Sequence, residues 1–222
     1  MYHSQEGQDA FLNTRVFKGF RNGVFVDVGA HDGVTINNTL FFETVQSWSG
    51  ILVEPLPSVF QQLEKNRPNA IHKNYAISDI ETTVDFLEVS GYAEMTSGIL
   101  ASYDPRHARR IRSEIAQLGG KANIIPVQTK RLSGIFAEHS IDHVHYLSID
   151  VEGAEFSVVK SIDFEKVFID VIGFESNFTD TCGPIVEYLQ ARGYRRIPYK
   201  CVDIFMIHEA SAFAGNILPI KV

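Results

Sequence analysis

Val24-Phe25-Val26-Asp27-Val28-Gly29-Ala30-His31-Asp32-Gly33 decides the fold. An apolar run ends in an acid and gives way to two glycines. A continuous apolar run reads as a parallel strand buried on both faces. Glycine directly after such a strand lets the backbone turn tightly and approach a ligand. Ligands of open α/β sheets sit in the crevice at the carboxyl ends of the strands. The stretch therefore reads as the first strand and cofactor-binding turn of an α/β enzyme.

Working outward, apolar strands alternate with amphipathic helices, the pattern of a parallel sheet covered on both faces. The spacing predicts a strand over 24–28, a helix over 37–47, a strand over 50–54 and a helix over 58–66. It continues with a strand over 71–77, two more over 83–89 and 124–129, and a helix over 133–139. A fourth parallel strand is expected at 145–149, ending at Asp150, then a helix from near Gly153. A fifth is expected at 168–174, ending at Glu175. Pro184 opens a further helix to Ala191, and Gly193 follows its end. The last two strand-like runs, 194–199 and 202–208, are too close for a parallel crossover, which needs a dozen or more residues. They must pair antiparallel. A mostly parallel sheet closed by a C-terminal antiparallel hairpin, with helices on both faces, resembles the Rossmann-like class I methyltransferase sheet. Residues 91–120 interrupt the pattern with a helix and are expected to form an insertion that caps the site.

The 222 residues suit one domain, 1–222, with a full-sized core. The net charge of -7 argues against wholesale nucleic-acid binding, which needs a net or clustered positive field. No apolar run approaches the ~18–20 residues that span a bilayer. The first residues lack the basic and apolar regions of a secretory signal, so the expected location is cytoplasmic. Cys182 and Cys201 then read as free thiols, and no Cys/His spacing resembles a zinc site.

Asp27 ends the first strand and Glu54 the second. A carboxylate there accepts hydrogen bonds from ribose hydroxyls. Gly29 and Gly33 give G-x-x-x-G, not the G-x-G-x-x-G of a dinucleotide site. A pyrophosphate would also be repelled by Asp27 and Asp32. S-adenosyl-methionine carries an ammonium and a sulfonium and no phosphate, so nearby carboxylates favour it. A nicotinamide oxidoreductase would need a second glycine turn and a catalytic Tyr/Lys or His, which are not seen. The alternative to an enzyme is a non-catalytic module that binds the cofactor without turnover.

The sequence resembles the FkbM-type methyltransferases over most of its length. The likeness rests on Ser4-Gln5-x-x-Gln8-Asp9, on 25–33, on Asn38-Thr39 and on Trp48-x-Gly50 through Val53-Glu54-Pro55. It continues with Ala76-Ile77-Ser78-Asp79 and Leu147-Ser148-Ile149-Asp150-Val151-Glu152-Gly153-Ala154-Glu155. Two departures are Asn37, where serine is commoner, and Ser148, where lysine is usual. The resemblance implies S-adenosyl-methionine-dependent O-methylation of a hydroxyl on a sugar, glycan or secondary metabolite. It implies that Asp27, Gly29, Ala30, His31 and Gly33 shape the methionine end of the pocket, and that Glu54 holds the ribose. Ser78 and Asp79 would lie near the adenine. Gln8 and Asp9 would come from an N-terminal segment folded over the cofactor, and Asp150 would help seat it. Asn38 either caps the first helix or binds the cofactor carboxylate.

Methyl transfer to oxygen needs an in-line approach and a group to take the hydroxyl proton. The candidates at strand ends are Asp150 and Glu175, with His31 in the first turn as a third base. Asp150, Glu175 and Asn177 also carry oxygen donors of the kind that suit Mg²⁺, although no metal ligand is assigned. Arg106, Arg109 and Arg110 in the insertion either recognise an anionic acceptor or form a solvated face. The sequence does not set the oligomeric state.

Overall fold

In a computed structural model, residues 1–176, 182–199 and 203–217 are described below. The first half contains α1 (Gln8–Phe11), β1 (Val24–Val28), α2 (Leu40–Gln46), β2 (Ser49–Val53), α3 (Pro57–Asn66), β3 (Ile71–Lys73), β4 (Ala76–Ile77) and β5 (Thr83–Ser90). Next come β6 (Gly98–Ile99), α4 (Pro105–Leu118), β7 (Lys121–Lys130), α5 (Leu132–Glu138) and β8 (His143–Ile149). The chain closes with α6 (Glu155–Lys160), β9 (Phe168–Glu175), α7 (Gly183–Gln190), β10 (Tyr194–Arg196) and β11 (Asp203–His208).

Seven strands form the main sheet in the order β10-β11-β9-β8-β1-β2-β3. β1 pairs parallel with both β2 and β8, and β8 with β9. β11 runs antiparallel to both its neighbours. The expected hairpin is therefore present, with its second strand inserted beside β9. Alternate residues of each strand face opposite sides, because side chains repeat every two residues. Val26, Val28, Leu147, Ile149 and Ile172 pack under helices α5, α6 and α7. Phe25, Leu52, Tyr146, Val171 and Phe205 pack on the other face against α2, Leu63 of α3 and the turns that continue α1. Two apolar faces on one sheet require two helix layers, as the sequence pattern implied.

The expected single strand at 71–77 is two strands. β3 closes the main sheet, while β4 joins a second sheet of order β4-β7-β5-β6. Asn74 sits at the break, where its amide donates to the carbonyls of Glu54 at 2.8 Å and Pro55 at 3.1 Å. Those bonds hold the chain at the end of β2 and turn it away. The strands expected at 83–89 and 124–129 are β5 and β7, which pair antiparallel and do not enter the main sheet. The 91–120 segment is the connection between them. The helix expected over 37–47 is α2, which starts at Leu40 and not at Asn37. Asn37 Oδ1 accepts from the backbone N–H of Thr39 at 3.0 Å and of Leu40 at 2.9 Å. The N-cap position is Thr39, whose side chain makes no capping bond, and the Leu40 N–H is taken by Asn37 and not by Asn38. No helix among the described residues is long and apolar enough to cross a membrane.

Candidate active site

A cavity of about 520 Å³ opens at the carboxyl ends of β1, β2, β8 and β9. Gly29, His31, Glu54, Asp150 and Glu175 line it from the sheet, and residues 92–99 with Arg110 and Glu114 line it from the insertion. A recess beside it shares Gly29, His31, Asp150 and Glu175, and adds Gln8, Asp27, Ala30, Asn38 and Asp203. Nine of the residues expected from the sequence are therefore brought together. Gln8 is held by its amide, which donates to Asp203 at 3.0 Å and accepts from the Glu6 N–H. Asp9 sits behind it and takes the N–H groups of His3 and Ala10 and the Ser4 hydroxyl. The N-terminal segment is hooked onto the site in this way.

Asp27 is buried and accepts from Asn37 Nδ2 at 2.9 Å and the Thr39 hydroxyl at 2.8 Å. Burial raises its pKa, and those two bonds and the Arg67 charge work against the rise. Asn38 donates to Ser148 Oγ at 3.3 Å, and its Oδ1 has no hydrogen-bond partner among the described residues. Ser148, which stands where lysine is usual, is thus a partner for this loop.

Glu54 is buried, with one oxygen accepting from Leu56 N–H at 2.8 Å and the other from His31 N–H at 3.1 Å. Burial pushes its pKa up to about 7 despite those two bonds and the nearby His31 ring, and Glu94 adds to the rise. The folded chain then holds a proton that the unfolded chain gives up above 4.5. The stability this contributes is full below 4.5 and is lost as pH rises through about 7. An ionised carboxylate is the better hydroxyl acceptor. Affinity for S-adenosyl-homocysteine should therefore rise about tenfold between pH ~6 and ~8, and Glu54→Gln should flatten the profile. Calorimetry across that range checks it, and a flat wild-type profile counts against Glu54 as the hydroxyl acceptor.

Three expected residues do not reach the cavity. Gly33 packs behind it, where a Cβ would lie 2.5 Å from Leu63 Cδ1. Ser78 bonds Ser157 Oγ at 3.1 Å, and Asp79 takes the Ser157 hydroxyl and the Lys160 ammonium. They fasten the turn after β4 to α6, and Tyr75, Ala76 and Ile77 line the cavity instead. The arginines also separate. Arg106 folds onto Asp104 at 2.8 Å, Arg110 pairs with Glu114 at 2.8 Å, and only Arg110 of the three lines the cavity. Of the two readings of these arginines, the solvated face describes Arg106 and Arg109, which are exposed, while Arg110 reaches the cavity already paired with Glu114.

Asp150, Glu152 and Glu175 place carboxylate oxygens within 4.8 Å of one another. Asn177 and Cys201 lie outside the described residues. Asp150 opens to the cavity but is enclosed by protein, and that desolvation, with Glu175, Glu152 and Asp203, raises its pKa well above the usual range. Like charges this close cannot all ionise, so the cluster retains protons. His31 lines the same cavity, but its Nε2 faces Glu94 at 3.0 Å. Sequence reasoning passed over Arg67, Asp203 and His107. An arginine before a proline, an acid opening a strand and a histidine in a charged helix carry no motif. Contacts made across the fold define all three.

A seven-stranded sheet with one antiparallel strand second from its edge, and an acid-walled cavity at its carboxyl ends, define a Rossmann-like methyltransferase. Residues 27–196 match the methyltransferase FkbM domain. The chain belongs to that family and is an S-adenosyl-methionine-dependent methyltransferase. Among solved structures it is similar to a human methyltransferase 10 domain containing protein, at 12% identity over 85% of this chain and 70% of that one, TM-score 0.45. It is similar to precorrin-6y C5,15-methyltransferase from Geobacter metallireducens GS-15, at 12% identity over 93% and 92%, TM-score 0.45. A METTL16 MTase domain matches at 10% identity over 90% of this chain and 64% of its own, TM-score 0.49. No curated protein matches the sequence.

Proposed function

We propose that the protein transfers the methyl group to a hydroxyl of a neutral sugar, glycan or secondary metabolite. The observation that carries this reading is the Asp150–Glu175 pair, which faces the cavity beside the Gly29 turn. The residues present suit the cofactor. Glu54 keeps a second lone pair on each oxygen for ribose hydroxyls. Gly29 lets the first turn close against the Asp150 backbone at the cavity wall, and the acid-lined wall favours a sulfonium. When bound, S-adenosyl-methionine supplies an electrophilic methyl group.

The chain's own residues then hold the acceptor and take its proton. A carboxylate of the Asp150–Glu175 pair within hydrogen-bond reach of the hydroxyl serves as general base. Asp27 acts indirectly, by fixing Asn37 and Thr39 in the loop that floors the recess. His31 belongs to a clasp between the first turn and the insertion, through Glu94. Residues 91–120 form the cap over the acceptor. Neutral acceptors are favoured because Glu94, Glu114, Asp150, Glu152 and Glu175 face the cavity with Arg110 already paired.

Labelled methyl transfer to a panel of polyols, sugars, amines and acids tests this. A neutral hydroxyl acceptor should be labelled as an alkali-stable ether. Glu175→Gln should lower kcat by about 10²-fold while leaving affinity for S-adenosyl-homocysteine unchanged. Label found only on nitrogen or carbon would overturn the O-methyl reading.

A further inference from the structure

Glu152 stands where two cavities meet. It lines the main cavity with Asp150 and Glu175, and with Glu175 it also lines a smaller one of about 110 Å³. Its backbone has φ 57, a conformation that non-glycine residues rarely adopt. Such outliers persist only where the surroundings hold them, and they cluster at functional sites. Here the insertion presses on the turn. A Cβ on Gly153 would lie 2.7 Å from the Ser102 carbonyl oxygen, and one on Gly98 3.3 Å from that of Val151.

His107, in the first turn of α4, lines the side cavity and is only 3% exposed. The Thr96 backbone lies near its ring and favours the charged form. Its Nε2 makes no hydrogen bond among the described residues and lies 3.3 Å from Glu152 Oε2. In the tautomer that carries its proton on Nδ1, Nε2 of a neutral imidazole is an acceptor only. An acceptor facing a carboxyl oxygen is favourable when that oxygen carries the proton. The surroundings agree. Burial and Arg110 lower the His107 pKa, against Thr96, Glu114 and Asp104, and the Tyr103 ring packs 5.0 Å away. Burial, Glu175, Glu155 and Glu114 push Glu152 up to about 8, against Arg110.

We propose that Glu152 and His107 form a proton relay that carries the acceptor's hydroxyl proton from the Asp150–Glu175 end of the main cavity into the side cavity. The relay rests on the O-methyl reading above. As the C–O bond forms and the C–S bond breaks, the O–H electron pair stays on oxygen and the proton passes to a carboxylate of the cluster. Glu152 gives its own proton to His107 Nε2 and takes the incoming one. His107 returns to neutral by releasing a proton to water in the side cavity. Glu152 and His107 are positioning residues, since neither is required to touch the acceptor.

Infrared spectroscopy of the protein loaded with S-adenosyl-homocysteine tests the pair without an acceptor. The wild type should show, at neutral pH, a protonated-carboxyl stretch that titrates near about 8. The band should vanish in Glu152→Gln and shift in His107→Gln. Its absence from the wild type, or indifference to His107→Gln, overturns the relay. Tight Mn²⁺ binding that Glu152→Gln abolishes also overturns it, because carboxylates around a cation carry no proton. With a labelled hydroxyl acceptor in hand, His107→Gln should slow single-turnover methyl transfer about tenfold with cofactor affinity unchanged. An unchanged rate sinks the relay alone, whereas failure to label any hydroxyl sinks the O-methyl reading and the relay together.

Discussion

Arg67→Met is expected to cost about 3–5 kcal/mol of stability and to abolish cofactor binding in the same protein. Arg67 is 1% exposed, the largest of the fully buried side chains among the described residues. Its guanidinium contacts Glu43 at 2.6 Å and donates to the Gly33 carbonyl at 2.9 Å and to Asn37 Oδ1 at 3.1 Å. It also stands 5.4 Å from the Phe25 ring. Methionine keeps much of the volume but none of the donors. Glu43 would be left as an uncompensated, largely buried charge, and the Gly33 carbonyl would lose its partner. The loop that loses its anchor carries Asn37 and Thr39, the two partners of Asp27. Removing the Arg67 charge would also raise the Asp27 pKa further, since that charge holds it down. Urea unfolding and calorimetry with S-adenosyl-homocysteine check both effects. Adding Glu43→Leu to Arg67→Met should restore most of the stability but not the binding, because the loop remains unanchored. Wild-type stability in Arg67→Met would show that this network carries no load.

The contrast between Arg67 and Gly29 shows what the sequence makes legible. β1, β2, β8 and β9 were readable because a strand buried on both faces is a continuous apolar run, whose end is marked by Asp27, Glu54, Asp150 or Glu175. Those ends define the crevice, so most of the candidate cavity follows from them. The break between β3 and β4 was not readable. Ile71 to Ile77 holds no glycine or proline and only one strongly strand-depleted residue, Asn74, and the chain leaves the sheet because that Asn74 bonds carbonyls at the end of β2. Ser78 and Asp79 were placed by resemblance at the cofactor, yet Ser157 and Lys160 of α6 draw them away. The arginines of α4 lie close together in sequence, but local partners at Asp104 and Glu114 take two of them. Helical spacing says which side chains share a face, and it is silent on whether the face looks into a cavity. Glu152 was visible as one acid among several. Its place between two cavities depends on a left-handed backbone that only the docked insertion explains.

Gly29→Ala should be the most damaging single methyl group that can be added to this chain. A Cβ at Gly29 would lie 1.7 Å from the Asp150 carbonyl oxygen and 2.8 Å from its carbonyl carbon. The obstacle is backbone, so no side-chain rotation relieves it. Nor is the strand end free to move. The Gly29 and Ala30 N–H groups both donate to the Val53 carbonyl at 3.0 Å, and the Asp150 N–H donates to the Val28 carbonyl at 2.9 Å. The φ of 87 adds the penalty of a left-handed alanine. Clash and strain together are expected to exceed about 4 kcal/mol, the exceptional end of single substitutions. Any molecules that fold must push Asp150 away from β1, so methyl transfer should be lost even where structure survives. Gly33→Ala is the informative comparison. There the φ is 76 and the obstructing atoms are Leu63 Cδ1 and Arg67 Cγ, both on side chains. Side chains yield further than backbone, but Leu63 and Arg67 are themselves buried and held, so the cost should be about 2–4 kcal/mol, still below that of Gly29→Ala. Urea midpoints of the two variants, measured alongside S-adenosyl-homocysteine affinity, decide the matter. A Gly33→Ala protein less stable than Gly29→Ala would mean that β1 and β8 do not close against each other at this turn, and that Asp150 is held in place by something other than the glycine opposite it.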